Sequence, residues 1–279
     1  MKKSLKNFSL KSLLLLAVVA VGMVSCSDDE NNPESEGKAN LRVSMTDAPG
    51  DYDAVFVEVV DVMIQTDAAV EGAEGEGEGA EEGWVSVGDV QTGVYDLLEL
   101  TGGVSQVLAD TEVPAGYVSQ IRLVLGTDNY VVIDGEEEPL STPSAQQSGL
   151  KLQLNQELEA GENYSFLLDF DVDKSVVTTG NGGKSLKPVI RLSAEADAGM
   201  IVGAVHPTEF RSLVTAKNAT TTISAYTDAN GEFALKGVPA GTYQVSVTPD
   251  VAAGLDVVFE DDVVVEENST IDLETIFLE

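Results

Sequence analysis

Apolar and polar residues alternate along most of the chain. Leu41, Val43 and Met45 alternate in this way, and residues 55–59 and 121–125 repeat the pattern. A period of two places successive side chains on opposite faces of an extended strand. Later runs of this kind are VVI, KLQLNQEL, YSFLLDFDV, PVIRLSAEA, TISAYT, EFALKGV, TYQVSVTP and DVVFEDDVVVEE. Short β-branched or aromatic runs bounded by Gly, Pro, Asn or Asp predict an all-β fold built from β-sandwiches.

The composition changes at residues 195–199, EADAG, and this change predicts a boundary between two β-sandwich domains, 39–197 and 198–279. The first of them contains a Gly- and Glu-rich stretch, residues 71–83, which is predicted to be a flexible loop.

In the second predicted domain, Asp228 begins a stretch, DANGE, that is rich in oxygen ligands like a calcium loop. Such a loop needs Gly at its sixth position and Glu at its twelfth, which here are Phe233 and Pro239. Asn230-Gly231 is therefore predicted to be a hairpin turn.

A short turn sequence occurs three times, at VPAGY, LEAGENY and VPAGTY, each before an alternating strand. The glycine suits the positive φ of a turn. The tyrosines that follow, Tyr117, Tyr164 and Tyr243, are predicted to anchor strand edges with their rings buried and their hydroxyls paired.

The N-terminus reads as an export signal. Basic MKKSLKNFSLK precedes the apolar run SLLLLAVVAVGMV, and Ser25-Cys26 follows, with the only cysteine of the chain. This arrangement resembles a bacterial lipoprotein signal, which implies that residues 1–25 are removed and that Cys26 is lipidated. The alternative is an ordinary secretory signal with an incidental cysteine.

The acidic residues SDDE after Cys26 resemble the surface-export signal of Bacteroidota lipoproteins. That resemblance implies an outer-membrane lipoprotein exposed on the cell surface, with a periplasm-facing position as the alternative. Without that resemblance, residues 26–38 are interpreted as a flexible polar and acidic tether. In both cases the protein is expected to associate with the membrane through its lipid, without a segment that spans the bilayer.

Each domain also resembles a known family. The segments LRVSMTDAPGDYDAVFVEVVDV, VPAGYVSQIRLVL and LLDFDVDKSVV are similar to a family of unknown function that is common in exported prokaryotic lipoproteins. The segments GMIVGAVHP and TTISAYTDANGEFALKGVPAGTYQVSV resemble the carboxypeptidase regulatory-like, or transthyretin-like, β-sandwich. The second resemblance implies a non-catalytic module related to carbohydrate-binding-like folds, whereas the first implies no established activity. No cofactor is expected, apart from the calcium considered below.

The net charge of the chain excludes one class of partner. With 15 Lys and Arg against 48 Asp and Glu, the formal charge is -33. Nucleic-acid affinity comes mainly from cations that neutralise phosphates, so nucleic-acid binding is excluded.

Carboxylates supply the candidate sites. Asp169, Asp171 and Asp173 alternate along a predicted strand and would share one face, which is either solvated or half of a cation site. A second cluster surrounds the Pro-Gly turn of TDAPGDYD. The candidate calcium ligands are therefore Asp47, Asp51, Asp53, Asp169, Asp171 and Asp173. Paired carboxylates could also serve a glycosidase, which makes an enzyme the third hypothesis.

Histidine and tryptophan, which each occur once, are the other residue types that could take part in catalysis or binding. His206, the only histidine, is predicted to lie in a loop and excludes a multi-histidine zinc site. Trp84, the only tryptophan, is predicted to pack on the core. The sequence therefore predicts a non-catalytic binding protein for carbohydrate or another cell-surface ligand. The alternative is a structural or adhesive subunit, like those of fimbriae, that assembles through strand edges.

Overall fold

A computed structural model describes residues 37–48, 50–67, 83–101, 103–142 and 149–279. The predicted signal segment 1–25, Cys26, nearly all of the tether 26–38 and nearly all of the loop 71–83 lie outside these ranges. In the part of the chain that the structure describes, no helix is long and apolar enough to cross a membrane.

Strands dominate the described residues, as the alternating pattern predicts. The strands of the N-terminal part are β1 (Lys38–Ala48), β2 (Ala54–Thr66), β3 (Trp84–Ser86), β4 (Gly93–Asp96), β5 (Gln106–Pro114), β6 (Gly116–Leu125), β7 (Tyr130–Ile133), β8 (Glu136–Ser141), β9 (Leu150–Leu158), β10 (Asn163–Asp171), β11 (Val176–Thr178), β12 (Lys184–Leu186) and β13 (Ile190–Ala194). Those of the C-terminal part are β14 (Ala198–His206), β15 (Ser212–Lys217), β16 (Thr222–Tyr226), β17 (Glu232–Pro239), β18 (Gly241–Pro249), β19 (Val258–Val265) and β20 (Thr270–Phe277). The helices within the described ranges are one α-helical turn, α1 (Val172–Ser175), and the 3-10 turns Leu97–Leu100, Glu195–Asp197 and Val251–Ala253.

These strands form four sheets. Sheet A has the order β13-β10-β1-β5, with β1 and β10 parallel. Sheet B runs β11-β12-β8-β7-β2-β6-β9, and β3 and β4 also pair with β2. Sheet C has the order β17-β14-β20, and sheet D has the order β16-β15-β18-β19. The prediction of an all-β fold is confirmed.

The buried apolar side chains form two separate clusters. The first lies between sheets A and B and includes Leu41 and Met45 of β1 with Val55 and Val57 of β2. The second lies between sheets C and D and includes Ile201, Phe233 and other side chains from Val214 to Leu278. Sheets A and B are called the first sandwich below, and sheets C and D the second. Glu36–Glu279 nonetheless forms one compact unit, and the domain division after residue 197 stays a prediction.

The turn at Asn230-Gly231 differs from the predicted hairpin. It joins β16 of sheet D to β17 of sheet C, so it crosses between two sheets instead of linking paired strands. Only Gly231 has a positive φ, of 81°. The Asp228 carboxylate holds the turn by accepting hydrogen bonds from the backbone N–H groups of Asn230 and Glu232, both at 2.8 Å. Local sequence therefore locates the turn, but not the sheets it joins.

Candidate functional site

The second sandwich packs two of its edge strands against the outer face of sheet A. Strand β16 contacts β1, and strand β17 contacts β13. On β10, Phe166 and Leu168 point into the first core, whereas Leu167 points the other way and is fully buried. A Cβ on Gly237 of β17 would lie 3.4 Å from Leu167 Cδ2, which places this leucine in the contact between the sandwiches.

Arg191 joins the two sandwiches. Its Nη2 donates to Asp169 Oδ2 at 2.7 Å, and its Nη1 donates to the Gly237 carbonyl at 2.5 Å. Asp169 and Arg191 are direct neighbours on β10 and β13, so the sheet register places the pair. Asp169 is only 7% exposed. Burial raises its pKa, and the Arg191 charge opposes that rise.

A second buried carboxylate lies near this pair. Asp47, at the end of β1, is 3% exposed, and neither of its carboxylate oxygens has a hydrogen-bond partner among the described residues. Burial raises its pKa well above the ordinary value, and the charges of Asp169 and Asp171 raise it further. The Val172 N–H opposes this rise without making a hydrogen bond of normal geometry.

Two cavities open where the sandwiches meet, and we call them together the inter-sandwich cleft. The first encloses about 270 Å³, and the second about 440 Å³. Leu213 of β15 lines both. The first cavity is lined by Asp169, Asp171, Asp173, Lys174, Val189, Ile190, Arg191, Leu213, Thr222 and Ser224. The second is lined by Asp51, Arg211, Leu213, Tyr226, Thr248, Pro249, Asp250 and Val251.

Tyr226 is the aromatic side chain of the cleft. The Arg211 guanidinium carbon lies 4.1 Å from the centre of its ring, a distance suited to a cation–π contact. Burial raises the pKa of Tyr226, the Arg211 charge lowers it, and Asp51, Asp173 and Asp250 raise it. The phenol therefore stays a neutral hydrogen-bonding group in an acidic setting.

The three aspartates of the first predicted cluster all line the first cavity, but they do not lie on one strand. Asp169 and Asp171 belong to β10, but Asp173 belongs to α1, so the prediction of three carboxylates on one strand face is wrong. Asp171 Oδ1 caps this short helix by accepting from the Lys174 N–H at 3.0 Å, and Lys174 Nζ donates to Asp171 Oδ2 at 2.5 Å. Asp169 is not solvated, because the second sandwich covers it.

The second predicted cluster is not brought together. Asp47 is buried, Asp51 is exposed at the cleft, and Asp53 Oδ2 accepts a hydrogen bond from the Gly135 N–H at 2.9 Å. Within the described ranges, no three His, Cys, Asp or Glu side chains are placed to hold a metal ion. Calcium binding by the six aspartates stays a prediction from sequence.

His206 and Trp84 both differ from their predicted settings. His206 ends β14 instead of lying in a loop, and its ring meets Phe277 edge-on with centres 5.7 Å apart. It lines neither cavity of the cleft. Trp84 is not part of the first core cluster; the Arg122 guanidinium carbon lies 3.9 Å from the centre of its ring. Lys151 Nζ of β9 lies 5.7 Å from the same ring centre, so cations from β6 and β9 lie against the ring.

Sequence reasoning missed the half of the cleft contributed by the second sandwich. Ser224 and Tyr226 lie two apart in the alternating run TISAYT, so their shared strand face was visible in the sequence. No pattern in the sequence marks Arg211 as a residue of the cleft. That this face would meet Asp171 and Asp173 depends on how the two sandwiches pack, which no local pattern encodes.

A search of protein families matches residues 38–188 to the family described as a domain of unknown function (DUF4382). The match spans more than half of the chain. The chain belongs to the DUF4382 family. No curated protein is detectably similar to it in sequence.

The DUF4382 match ends just before β13, at residue 188. Asp169, Asp171, Asp173 and Lys174 therefore come from the DUF4382 domain. Arg191 and the whole second sandwich lie beyond the match. The inter-sandwich cleft thus lies where the DUF4382 domain meets the C-terminal part of the chain.

Solved structures similar to this DUF4382 protein are β-rich but distant. A chain of the type II cohesin–X-dockerin complex from Acetivibrio cellulolyticus is 25% identical over 29% of this chain and 56% of that one, with a TM-score of 0.23. The Bacillus anthracis TIE protein is 12% identical over 87% of this chain and 34% of its own, with a TM-score of 0.22. The shaft pilin SpaA from Lactobacillus rhamnosus GG is 11% identical over 86% and 97%, with a TM-score of 0.20. TM-scores of this size are too low to support a conclusion about function.

Proposed function

We propose that this DUF4382 protein is a non-catalytic carbohydrate-binding protein, anchored to the outer membrane by a lipid on Cys26. The observation that carries the proposal is the composition of the inter-sandwich cleft. It combines an aromatic ring, Tyr226, with hydroxyls, carboxylates and a guanidinium around apolar Leu213. Ligand sites in proteins have this form, with apolar walls and a few placed polar groups.

These side chains suit a ligand that is rich in hydroxyl groups. Thr222 and Ser224 can both donate and accept, and the carboxylates of Asp173 and Asp250 accept. The ring of Tyr226 offers a flat surface to the C–H face of a sugar. A sugar hydroxyl needs both kinds of partner, and this cleft supplies them within one concave surface.

The charge of the protein restricts which carbohydrates would bind. A chain with a formal charge of -33 repels acidic polysaccharides such as uronate polymers. Of the three cations that line the cleft, Lys174 and Arg191 are paired with Asp171 and Asp169, and Arg211 lies against the Tyr226 ring. We therefore propose that the ligand is a neutral glycan.

Replacing Tyr226 by alanine should weaken binding of such a glycan about tenfold or more, because the stacking surface is lost. The assay is a screen of the mature chain on a glycan array, followed by calorimetry with the sugars that bind. Tyr117→Ala is the matched control, since Tyr117 is 40% exposed and lies on β6, outside the cleft. An array without signal, or equal losses in the two variants, would argue against carbohydrate binding in the cleft.

The anchor is a separate part of the proposal. The arrangement of a basic segment, an apolar run and Cys26 supports lipidation of that cysteine. Cys26→Ser should abolish labelling of the expressed protein by a radioactive fatty acid and release it from the membrane fraction. Unchanged labelling in the variant would show that Cys26 is not the lipidation site.

The second sandwich supports the remaining family proposal, that it is a carboxypeptidase regulatory-like module. Its three-stranded and four-stranded sheets face each other across one core. Tyr243, after the turn VPAGT, is buried and donates from its hydroxyl to the Pro239 carbonyl at 2.8 Å. Modules of that family are non-catalytic, which agrees with a binding role.

Assembly through strand edges, the alternative function, is opposed by the form of three of the sheet edges. Strands β9, β19 and β20 are edge strands, and each has a break in its pairing register. At these breaks Asn155, Asp262 and Glu274 have φ between 53° and 58°. Bulges and charged residues on an edge hinder the addition of another strand. Concentration-dependent oligomers in light scattering would restore this alternative.

A further inference from the structure

A row of side chains leads out of the cleft across sheet D. The strand register aligns Ser224 of β16 with Thr215 of β15, then with Ser246 of β18 and finally with Phe259 of β19. The Thr215 and Ser224 hydroxyls are hydrogen-bonded at 2.9 Å, which confirms that they share a face. Strands lie about 4.8 Å apart, so the row is roughly 14 Å long.

This row lies on the solvent side of sheet D. The residues next to it along the strands, Val214, Val245 and Val247, point into the second core. Ser224 already lines the first cavity, so the row is continuous with the cleft. None of its four side chains is charged, although the chain as a whole is strongly acidic. A neutral, hydroxyl-lined strip therefore leaves the cleft on one side.

Phe259 ends the row and is 56% exposed. It lies on edge strand β19 opposite Ser246, while its neighbour Val258 packs against the second core. More than half of the phenylalanine side chain is therefore accessible to a ligand. An exposed aromatic ring at the end of a polar strip is suited to stack on a ligand.

We propose that the carbohydrate site extends along this row and that the ligand is a neutral oligosaccharide, with Phe259 as its distal stacking residue. This inference rests on the proposed function. One sugar would occupy the cleft beside Tyr226 and Ser224, and the following sugars would lie over Thr215 and Ser246. A single sugar would fill only the cleft end.

The test is calorimetry of the full chain with length series of neutral malto-, cello- and xylo-oligosaccharides. For the series that binds, affinity should rise with length by about tenfold and then level off once the row is filled. Phe259→Ala should remove that gain while leaving the affinity for the shortest binding sugar unchanged. Phe277→Ala is the matched control, because Phe277 is 63% exposed on edge strand β20 of the opposite sheet.

The outcomes separate this inference from the proposed function. Binding that Tyr226→Ala weakens, without length dependence or with no effect of Phe259→Ala, overturns the extended site and leaves the cleft in place. Equal losses in the Phe259 and Phe277 variants also overturn it. Binding of none of the oligosaccharides overturns the extended site, and with a silent glycan array it overturns the proposed function too.

Discussion

Replacing Arg191 by alanine is expected to lower the free energy of unfolding by about 3–5 kcal/mol, because it leaves a buried charge unpaired. Asp169 is almost fully buried, and Arg191 supplies its charge partner. The same guanidinium donates to the carbonyls of Lys236 and Gly237 in the second sandwich. The substitution therefore removes an ion pair and a link between the sandwiches at once. Guanidinium-induced unfolding of the full chain measures the effect.

Two further variants test whether the loss of stability comes from the burial of the Asp169–Arg191 pair. Arg42→Ala removes the Arg42–Asp110 pair, whose side chains are about half exposed, and should cost far less than Arg191→Ala because water screens an exposed pair. The double variant Asp169→Asn with Arg191→Met removes both charges and should regain most of the loss. A loss in Arg191→Ala no larger than in Arg42→Ala would show that the pair is not effectively buried.

Replacing Asp47 by asparagine is expected to raise the free energy of unfolding at pH 7, because burial disfavours the charged carboxylate that asparagine lacks. Burial holds the pKa of Asp47 well above its ordinary 3.8, so the folded chain binds a proton that the unfolded chain releases. Between the ordinary pKa and the raised one, stability must fall as the pH rises. The asparagine side chain carries no ionisable proton and removes this contribution.

The pH dependence identifies the cause. Unfolding curves of both chains from pH 4 to pH 8 should converge at the acidic end and separate as the pH rises, because near pH 4 Asp47 is protonated in the folded state at little cost. Asp256→Asn, at an exposed carboxylate, should stay within about 0.5 kcal/mol of the parent chain throughout. An Asp47→Asn chain less stable than the parent at pH 7 would mean that the carboxylate makes a favourable contact.

Alternation alone predicts the strands and which of their faces is buried. Leu41, Val43 and Met45 are buried as the period of two requires, because one face of each sheet must meet a core. The prediction that a tyrosine anchors the strand edge after each turn is confirmed for two of the three turns. Tyr243 is buried and Tyr164 accepts a hydrogen bond from Glu159, but Tyr117 is 40% exposed, because the face of β6 that carries it points away from the core.

Features that depend on packing between distant segments could not be predicted. Asp169 has the sequence signature of a solvated strand face, yet the second sandwich buries it. The turn at Gly231 has the letters of a hairpin, yet its strands belong to different sheets. In both cases the local pattern is satisfied equally by two arrangements, and only long-range contacts choose between them.

The same limit applies to the candidate site. One wall comes from β10, α1 and β13 and the other mainly from β15 and β16, so that β14 separates them in sequence, and each wall has the pattern of an ordinary polar strand face. The row from Ser224 to Phe259 needs the register of four strands, which a single sequence does not give. The aspartates were recognisable as candidates, but their partners across the cleft were not.

The interrupted edge strands have a consequence for a protein held on a membrane. A lipid anchor would confine copies to a plane, where neighbours meet far more often than in free solution. Under such crowding, even weak pairing of flat edges would link copies into ribbons. The left-handed residues Asp262 and Glu274 break the flat edges of β19 and β20, so that under the proposed anchoring copies would stand side by side at high density and still diffuse as individuals.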